Sequence, residues 1–98
     1  MTTTTLGEAA QKAFTKSFGA VIELRPEGAE PFFIDGRADP PKVSTAPPGA
    51  APDCVWRGPA DVMRRAVASA RAVESAVING RLVIGGDMSV MTRLELSA

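Results

Sequence analysis

The stretch Asn79-Gly80-Arg81-Leu82-Val83-Ile84-Gly85-Gly86-Asp87-Met88 decides how this chain is read. A short apolar run, Leu82-Val83-Ile84, lies between glycines. A run this short, β-branched and bounded by turn residues, reads as a strand. Asn79-Gly80 has the chemistry of a helix C-terminus, where glycine takes the left-handed conformation that other residues resist. Gly85-Gly86 is expected to stop the strand, and Asp87 is placed to cap whatever follows. The ten residues therefore join a helix, a strand and a final element with almost no spacer.

Upstream, Gly58-Pro59 opens the helix that ends at Asn79-Gly80. Proline is tolerated there because its missing N–H has no role in the first turn. Val62, Met63, Ala66, Val67, Ala70, Val73 and Val77 fall on one face at helical spacing. Arg64, Arg65, Arg71 and Glu74 fall on the other. Ser69-Ala70-Arg71-Ala72-Val73 contains no glycine or proline, so one continuous helix is expected. Asp53-Cys54-Val55-Trp56-Arg57, just before it, is a compact strand. Downstream the pattern leaves two readings open. Met88, Met91 and Leu94 fit a helix capped by Asp87, whereas Val90, Leu94 and Leu96, with Thr92 in the same row, fit a strand.

All eight prolines lie between Pro26 and Pro59, which confines helices to the two ends. At the start, Thr5-Leu6-Gly7-Glu8 has the spacing of a capping box. Leu6, Ala9, Ala10, Ala13 and Phe14 continue it as an apolar stripe, with Gly19 as the expected stop. Ala20-Val21-Ile22-Glu23-Leu24 and Pro31-Phe32-Phe33-Ile34-Asp35 form a hairpin around the turn residues Pro26-Glu27-Gly28-Ala29-Glu30. By alternation Phe32 and Ile34 share one face, expected under the helices, and Phe33 and Asp35 share a wetter one. Lys42-Val43-Ser44-Thr45, flanked by prolines, is a short edge strand. Ala46-Pro47-Pro48-Gly49-Ala50-Ala51-Pro52 is loop. Strands grouped together with helices at both ends give an α+β fold, a mostly antiparallel sheet covered on one face.

A length of 98 residues implies a single domain, residues 1–98, with one modest core that an added ligand cavity would strain. Eleven basic and eleven acidic residues balance. Neither a basic footprint for nucleic acid nor a polybasic membrane patch is found, the nearest approach being Arg64-Arg65. Arginine outnumbers lysine eight to three, a usage that suits a GC-rich bacterial genome. One cysteine excludes an intramolecular disulfide and fits a reducing compartment. The first residues lack a signal peptide's basic and apolar regions, and no apolar run is long enough to span a bilayer. The expected location is the cytoplasm.

Catalysis finds little support. Cys54 would need a neighbouring base, and the chain has no histidine. Packing in the strand explains it more simply. Asp35, Asp53, Asp61 and Asp87 stand beside glycine or proline at element ends, where capping or turn stabilisation accounts for them. Gly85-Gly86-Asp87 lacks the pattern and the lysine of a phosphate loop. Metal ligands of the required type and number are missing, and no cofactor is implied. Met63, Met88 and Met91 are equally at home in an irregular core and in a wall that accommodates varied apolar guests.

Taken together, these segments resemble the sterol carrier protein 2 (SCP2) family of lipid-transfer domains. The resemblance rests first on Ser75-Ala76-Val77-Ile78-Asn79-Gly80-Arg81-Leu82-Val83-Ile84-Gly85-Gly86-Asp87-Met88, which is similar to the family's Gly-basic-Leu-x-Ile-x-Gly-Asp/Asn-Met run. Asp53-Cys54-Val55-Trp56, followed by a helix near Asp61-Val62-Met63, and the hairpin of residues 20–36 match in the same order. The resemblance implies a five-stranded, mainly antiparallel sheet with helices across one face and an apolar tunnel between them. The tunnel would hold a fatty acid, acyl-CoA, sterol or phospholipid, and the C-terminal helix would help to close it, which favours a helix over residues 88–96. Laid on the inward faces, its lining would be Phe32, Ile34, Trp56, Met63, Val67, Val77, Leu82, Ile84, Met88, Met91 and Leu94. The chain is shorter than most relatives and lacks the glycine and proline that usually break the central helix. Leu96-Ser97-Ala98 is not a peroxisomal tripeptide. The implied partner is a lipid or another hydrophobic small molecule, not nucleic acid. Transient membrane contact and a homodimer are both compatible with it. The alternative is a non-catalytic interaction or dimerisation module on the same fold, with a filled cavity.

Overall fold

The computed structural model describes residues 6–46, 49 and 51–94. Its sheet is built on β1 (Val21–Pro26), the middle strand of the order β3-β2-β1-β4-β5. The hairpin forms where alternation and turn chemistry place it: β1 pairs antiparallel with β2 (Phe32–Asp35), from Val21↔Asp35 to Leu24↔Phe32. The edge strand β3 (Lys42–Ser44) joins β2 antiparallel. On the other side β4 (Cys54–Gly58) runs parallel to β1, and β5 (Val83–Gly86) pairs antiparallel with β4. The sheet is five-stranded and mostly antiparallel, with one parallel pairing at its centre.

The registers put Ile22, Leu24, Phe32, Ile34, Val43, Cys54, Trp56 and Ile84 on one face, all packed into the core beneath the helices. Phe32 and Ile34 thus lie where alternation assigns them. Phe33 lies on the outer face with Asp35, as alternation assigns it, but that face is not wet at this position. It is buried, as is its cross-strand partner Glu23. Asp35, half-buried on that face, pairs with Arg37 at 2.9 Å.

Helix α1 (Leu6–Ala13) buries Leu6 and Ala10 and ends well before Gly19. The Phe14 N–H still reaches the Ala10 carbonyl at 2.9 Å, and then the backbone turns away. Phe18 and Gly19 both donate to the Gly36 carbonyl at 2.9 Å, a bond to the β2 end that a continuing helix could not make. The proposed Thr5 cap lies outside the described residues.

The central helix is two helices, α2 (Ala60–Val67) and α3 (Ala70–Ile78). The uninterrupted apolar pattern gave no warning of a break at Ala68-Ser69. Ser69 is extended, at φ −158° and ψ 131°, and its hydroxyl accepts from the Ala72 N–H at 3.4 Å. Serine competes for backbone donors in this way, which favours helix starts over helix interiors. The break changes which side is buried. Val62, Met63, Ala66 and Val67 face the core as the stripe requires, but after Ser69 the buried residues are Val73 and Ala76, and Ala70 and Val77 are exposed.

Asn79 and Gly80 end α3 as expected, with Gly80 at φ +71°. Gly85 and Gly86 do not stop β5. They extend it, opposite Val55 and Cys54. Asp87 caps a 3-10 helix (Met88–Arg93), a tighter form of the helical reading. The last two positions of the expected 88–96 helix lie outside the described residues.

Gly86 and Gly85 make a controlled pair. Gly86 has φ +92°, and a Cβ there would sit 2.5 Å from the Asp53 carbonyl oxygen; a Cβ at Gly85 would meet nothing within 4 Å. Gly86→Ala should lower unfolding stability in urea by at least about 2 kcal/mol, since left-handed backbone and a rigid contact both oppose it. Gly85→Ala should stay within about 0.5 kcal/mol of the parent. Equal effects of the two substitutions would contradict this account of the turn.

Candidate functional site

The space between sheet and helices is lined by apolar side chains, and the chain fills much of it itself. Ile34, Trp56, Met63, Val67 and Leu82, five of the residues read as lining, are all at most 1 % exposed. Val90 of the 3-10 helix joins them, fully buried. Phe32, Ile84, Met91 and Leu94 are half-buried and pack against the edge of this core. Val77 and Met88 stand apart, 43 % and 52 % exposed. Val77 is turned outward by the break at Ser69, and Met88 opens the 3-10 helix on its solvent side.

The structure brings Met91 and Leu94 together with Ala70, Val73 and Glu74 around a cleft of about 190 Å3. It lies between α3 and the C-terminal segment and opens to solvent. Ala70 and Glu74 were not among the residues read as lining. Their signal was hidden because the helix break rotates α3 relative to the stripe of α2. A larger groove of about 640 Å3, between α1 and β3, is polar at Gln11, Asp35, Asp39 and Lys42.

The segment that borders the cleft is fixed by three features. The Asp87 carboxylate accepts from the Ser89 N–H at 2.9 Å and from the Ser89 hydroxyl at 2.6 Å. The Arg93 guanidinium donates to the Phe18 carbonyl at 3.2 Å. Val90 plugs the core. The Ser89 hydroxyl, then the Ser89 N–H, hold the Asp87 carboxyl below its ordinary pKa of 3.8.

Burial pushes the Cys54 thiol up, partly opposed by the Trp56 indole N–H beside it. That N–H nonetheless finds no acceptor in hydrogen-bond geometry among the described residues. Sulfur is a weak acceptor, and proximity to it does not amount to a bond. Among the described residues no group of three acidic, cysteine or histidine side chains is arranged to hold a metal ion. None of the described helices is long and apolar enough to cross a membrane.

A mixed five-stranded sheet roofed on one face by helices, with an apolar interior and a C-terminal segment across its edge, defines an α+β architecture. The model of the SCP-2 sterol transfer family matches residues 4–96, so the chain belongs to that family. Solved structures agree on the fold. The sterol carrier protein domain 2 of Helicoverpa armigera aligns over 92 % of this chain and 83 % of its own, at 15 % identity and a TM-score of 0.65. Apo sterol carrier protein 2 from Yarrowia lipolytica aligns over 89 % and 79 %, at 21 % identity and a TM-score of 0.60. The UbiJ-SCP2 ubiquinone synthesis protein aligns over 86 % and 70 %, at 20 % identity and a TM-score of 0.62. No curated protein matches by sequence.

The Asp87 cap makes a pH prediction. A carboxyl with a lowered folded pKa stabilises the fold above its unfolded value, and that contribution is lost as pH falls through the folded pKa. NMR titration of Asp87 should give a midpoint below 3.8. Ser89→Ala removes the hydroxyl, the larger cause, and should move the midpoint back up. An unchanged midpoint in Ser89→Ala would rule out the hydroxyl as the cause.

Proposed function

We propose that this chain binds, and passes on, an apolar or amphipathic lipid such as a fatty acid, an acyl-CoA or a sterol-like molecule, without chemical turnover. The observation that carries the reading is the apolar cleft at Val73, Met91 and Leu94 in a chain of the SCP-2 sterol transfer family. The names of its structural relatives, sterol carriers and a ubiquinone synthesis protein, support an apolar cargo. The absence of histidine and the raised pKa of the Cys54 thiol suit carriage better than catalysis. The cytoplasm is the proposed compartment.

Binding would proceed by desolvation, at about 25 cal/mol per Å2 of apolar surface removed from water. The 190 Å3 cleft is small and open to solvent, and a long acyl chain needs more enclosed space. A full-length lipid therefore requires the C-terminal segment to move outward, with Met91 adapting its shape to the guest. Phe32, Ile34, Trp56, Met63, Val67, Leu82, Ile84, Met88 and Leu94 are the further candidate contacts, and Val77 would be reached only at the rim.

One observation favours a second reading. Trp56, Met63, Val67 and Val90 fill the interior, as they would in an interaction or dimerisation module that carries no guest. Displacement of a fluorescent fatty acid, with native mass spectrometry alongside, separates the two. The carrier reading expects binding at micromolar lipid, weakened at least about tenfold by Met91→Trp, which fills the cleft, with the melting temperature preserved. No binding by either method rejects it. A stable dimer in size-exclusion chromatography with light scattering would then support the module.

A further inference from the structure

The sequence contains no basic run longer than Arg64-Arg65, yet the fold gathers arginines far apart in the chain. Arg25 of β1 and Arg57 of β4 are direct partners across the parallel pairing, and Val83 of β5 is the next residue in the same row. Their neighbours Leu24, Trp56 and Ile84 face the helices, so this row lies on the outer face of the sheet. Arg81, in the turn before β5, completes an open groove of about 400 Å3 with Arg25, Arg57 and Val83. It also borders an adjoining groove that contains Arg65.

Like charges directly opposite each other destabilise a sheet, so the Arg25–Arg57 pair needs an explanation. Glu23 relieves Arg25, at 2.5 Å from its Nε. Among the described residues Glu27 is the only acid lining the groove. Neither Arg57 nor Arg81 has a side-chain hydrogen bond or ion pair among the described residues, and both are exposed. The chain carries no net charge, so this cationic end is a local asymmetry. One exposed apolar side chain belongs to it: Val83 in the row, 61 % exposed.

We propose that the face formed by Arg25, Arg57, Arg81 and Val83 is a docking surface for an anionic lipid bilayer. Guanidinium groups recognise phosphate oxygens through paired N–H donors, and clustered cations near an anionic leaflet gain from its surface potential. Val83 supplies an apolar side chain that can enter the headgroup boundary. A bilayer fits better than an acidic protein. The cations surround a shallow, open groove with one exposed apolar residue, and a protein partner needs a contiguous, complementary apolar centre. The surface stands on residues separate from the cleft, so it extends the carrier reading without depending on cargo binding.

Co-sedimentation with phosphatidylcholine vesicles, with and without about one-third phosphatidylglycerol, tests it at low and high salt. The parent protein is expected to bind the anionic vesicles alone, and to lose that binding in high salt. R57E/R81E should bind at least about 25-fold more weakly, from about fivefold for each arginine near the surface. R57A/R81A should weaken binding in the same direction, and V83S should weaken binding relative to the parent at fixed charge. K12E/K42E makes the same change in net charge on α1 and the opposite edge strand, and should retain most of the binding. Circular dichroism checks that each variant is folded. The proposal is overturned if K12E/K42E loses as much as R57E/R81E, or if the parent does not distinguish the two vesicle types. Binding to poly-glutamate but not to vesicles would overturn it too, in favour of an acidic protein. Cargo binding is read separately, by fatty-acid displacement, so failure of one proposal is distinguishable from failure of the other.

Discussion

Everything in this fold depends on how Asp53 is held. Its N–H donates to the Val21 carbonyl at 2.8 Å, and its carboxylate accepts from the Val21 N–H at 2.9 Å. Its own carbonyl accepts from the Asp87 N–H at 2.7 Å. One residue therefore joins the start of β1, the start of β4 and the end of β5. A parallel pairing has no hairpin to fix its register, and here Asp53 supplies what a turn would otherwise supply. A slip of one residue would turn Cys54 and Trp56 to the outer face and bring Val55 and Arg57 under the helices. Gly86 follows from the same constraint, because the Asp53 carbonyl stands where its side chain would be.

The elements that could be read from the sequence are those set by local chemistry. Alternation placed the β1–β2 hairpin and the inward faces of Phe32 and Ile34. Gly80 marked the end of α3, and Asp87 marked a cap. What could not be read depends on partners distant in sequence. The parallel pairing of β1 and β4 comes from contacts more than thirty residues apart, such as Ile22 with Cys54. The early end of α1 comes from the Gly36 carbonyl, and the strand character of Gly85 and Gly86 from β4. Ser69 was a local signal that the uninterrupted apolar stripe outweighed. Its effect on the site was large, since it turned Ala70 and Glu74 into cleft residues and Val77 out of the core. The arginine groove is the extreme case. Its members are spread over residues 25–81, and only strand order and register bring them together.

The interior sets two demands against each other. A chain of 98 residues buries a modest share of its surface and must fill its core well to be stable. Trp56, Met63, Val67, Leu82 and Val90 do so. A carrier must also make room. In the proposed carrier the C-terminal segment resolves this; it is held by the Asp87 cap, the Arg93 bond to Phe18, buried Val90 and half-buried Met91 and Leu94. Withdrawing Val90 costs about 1.5–3 kcal/mol. About 100 Å2 of lipid surface taken from water returns about 2.5 kcal/mol. The two terms are comparable, so modest lipid burial offsets the withdrawal of Val90 itself. Displacing Trp56 or Met63 would break far more packing.

Trp56 shows that the closed core favours size over polar satisfaction. Its indole is fully buried and its N–H lacks an acceptor among the described residues, a state that costs about 1–3 kcal/mol. Edge-on contact with Phe14, at 6.4 Å between ring centroids, returns about 0.5–1.5 kcal/mol beyond simple burial. Burial of the large ring itself accounts for the rest. Phenylalanine would avoid the orphaned donor but would leave a void where the second ring now packs between Leu24 and Ile84, its cross-strand neighbours. Cavities of that kind destabilise by more than a weakly satisfied N–H. The tryptophan is therefore explained by volume, and the sheet-side half of the interior is the rigid half. Room for a guest has to come from the opposite side, where Met91 and Leu94 are half-buried.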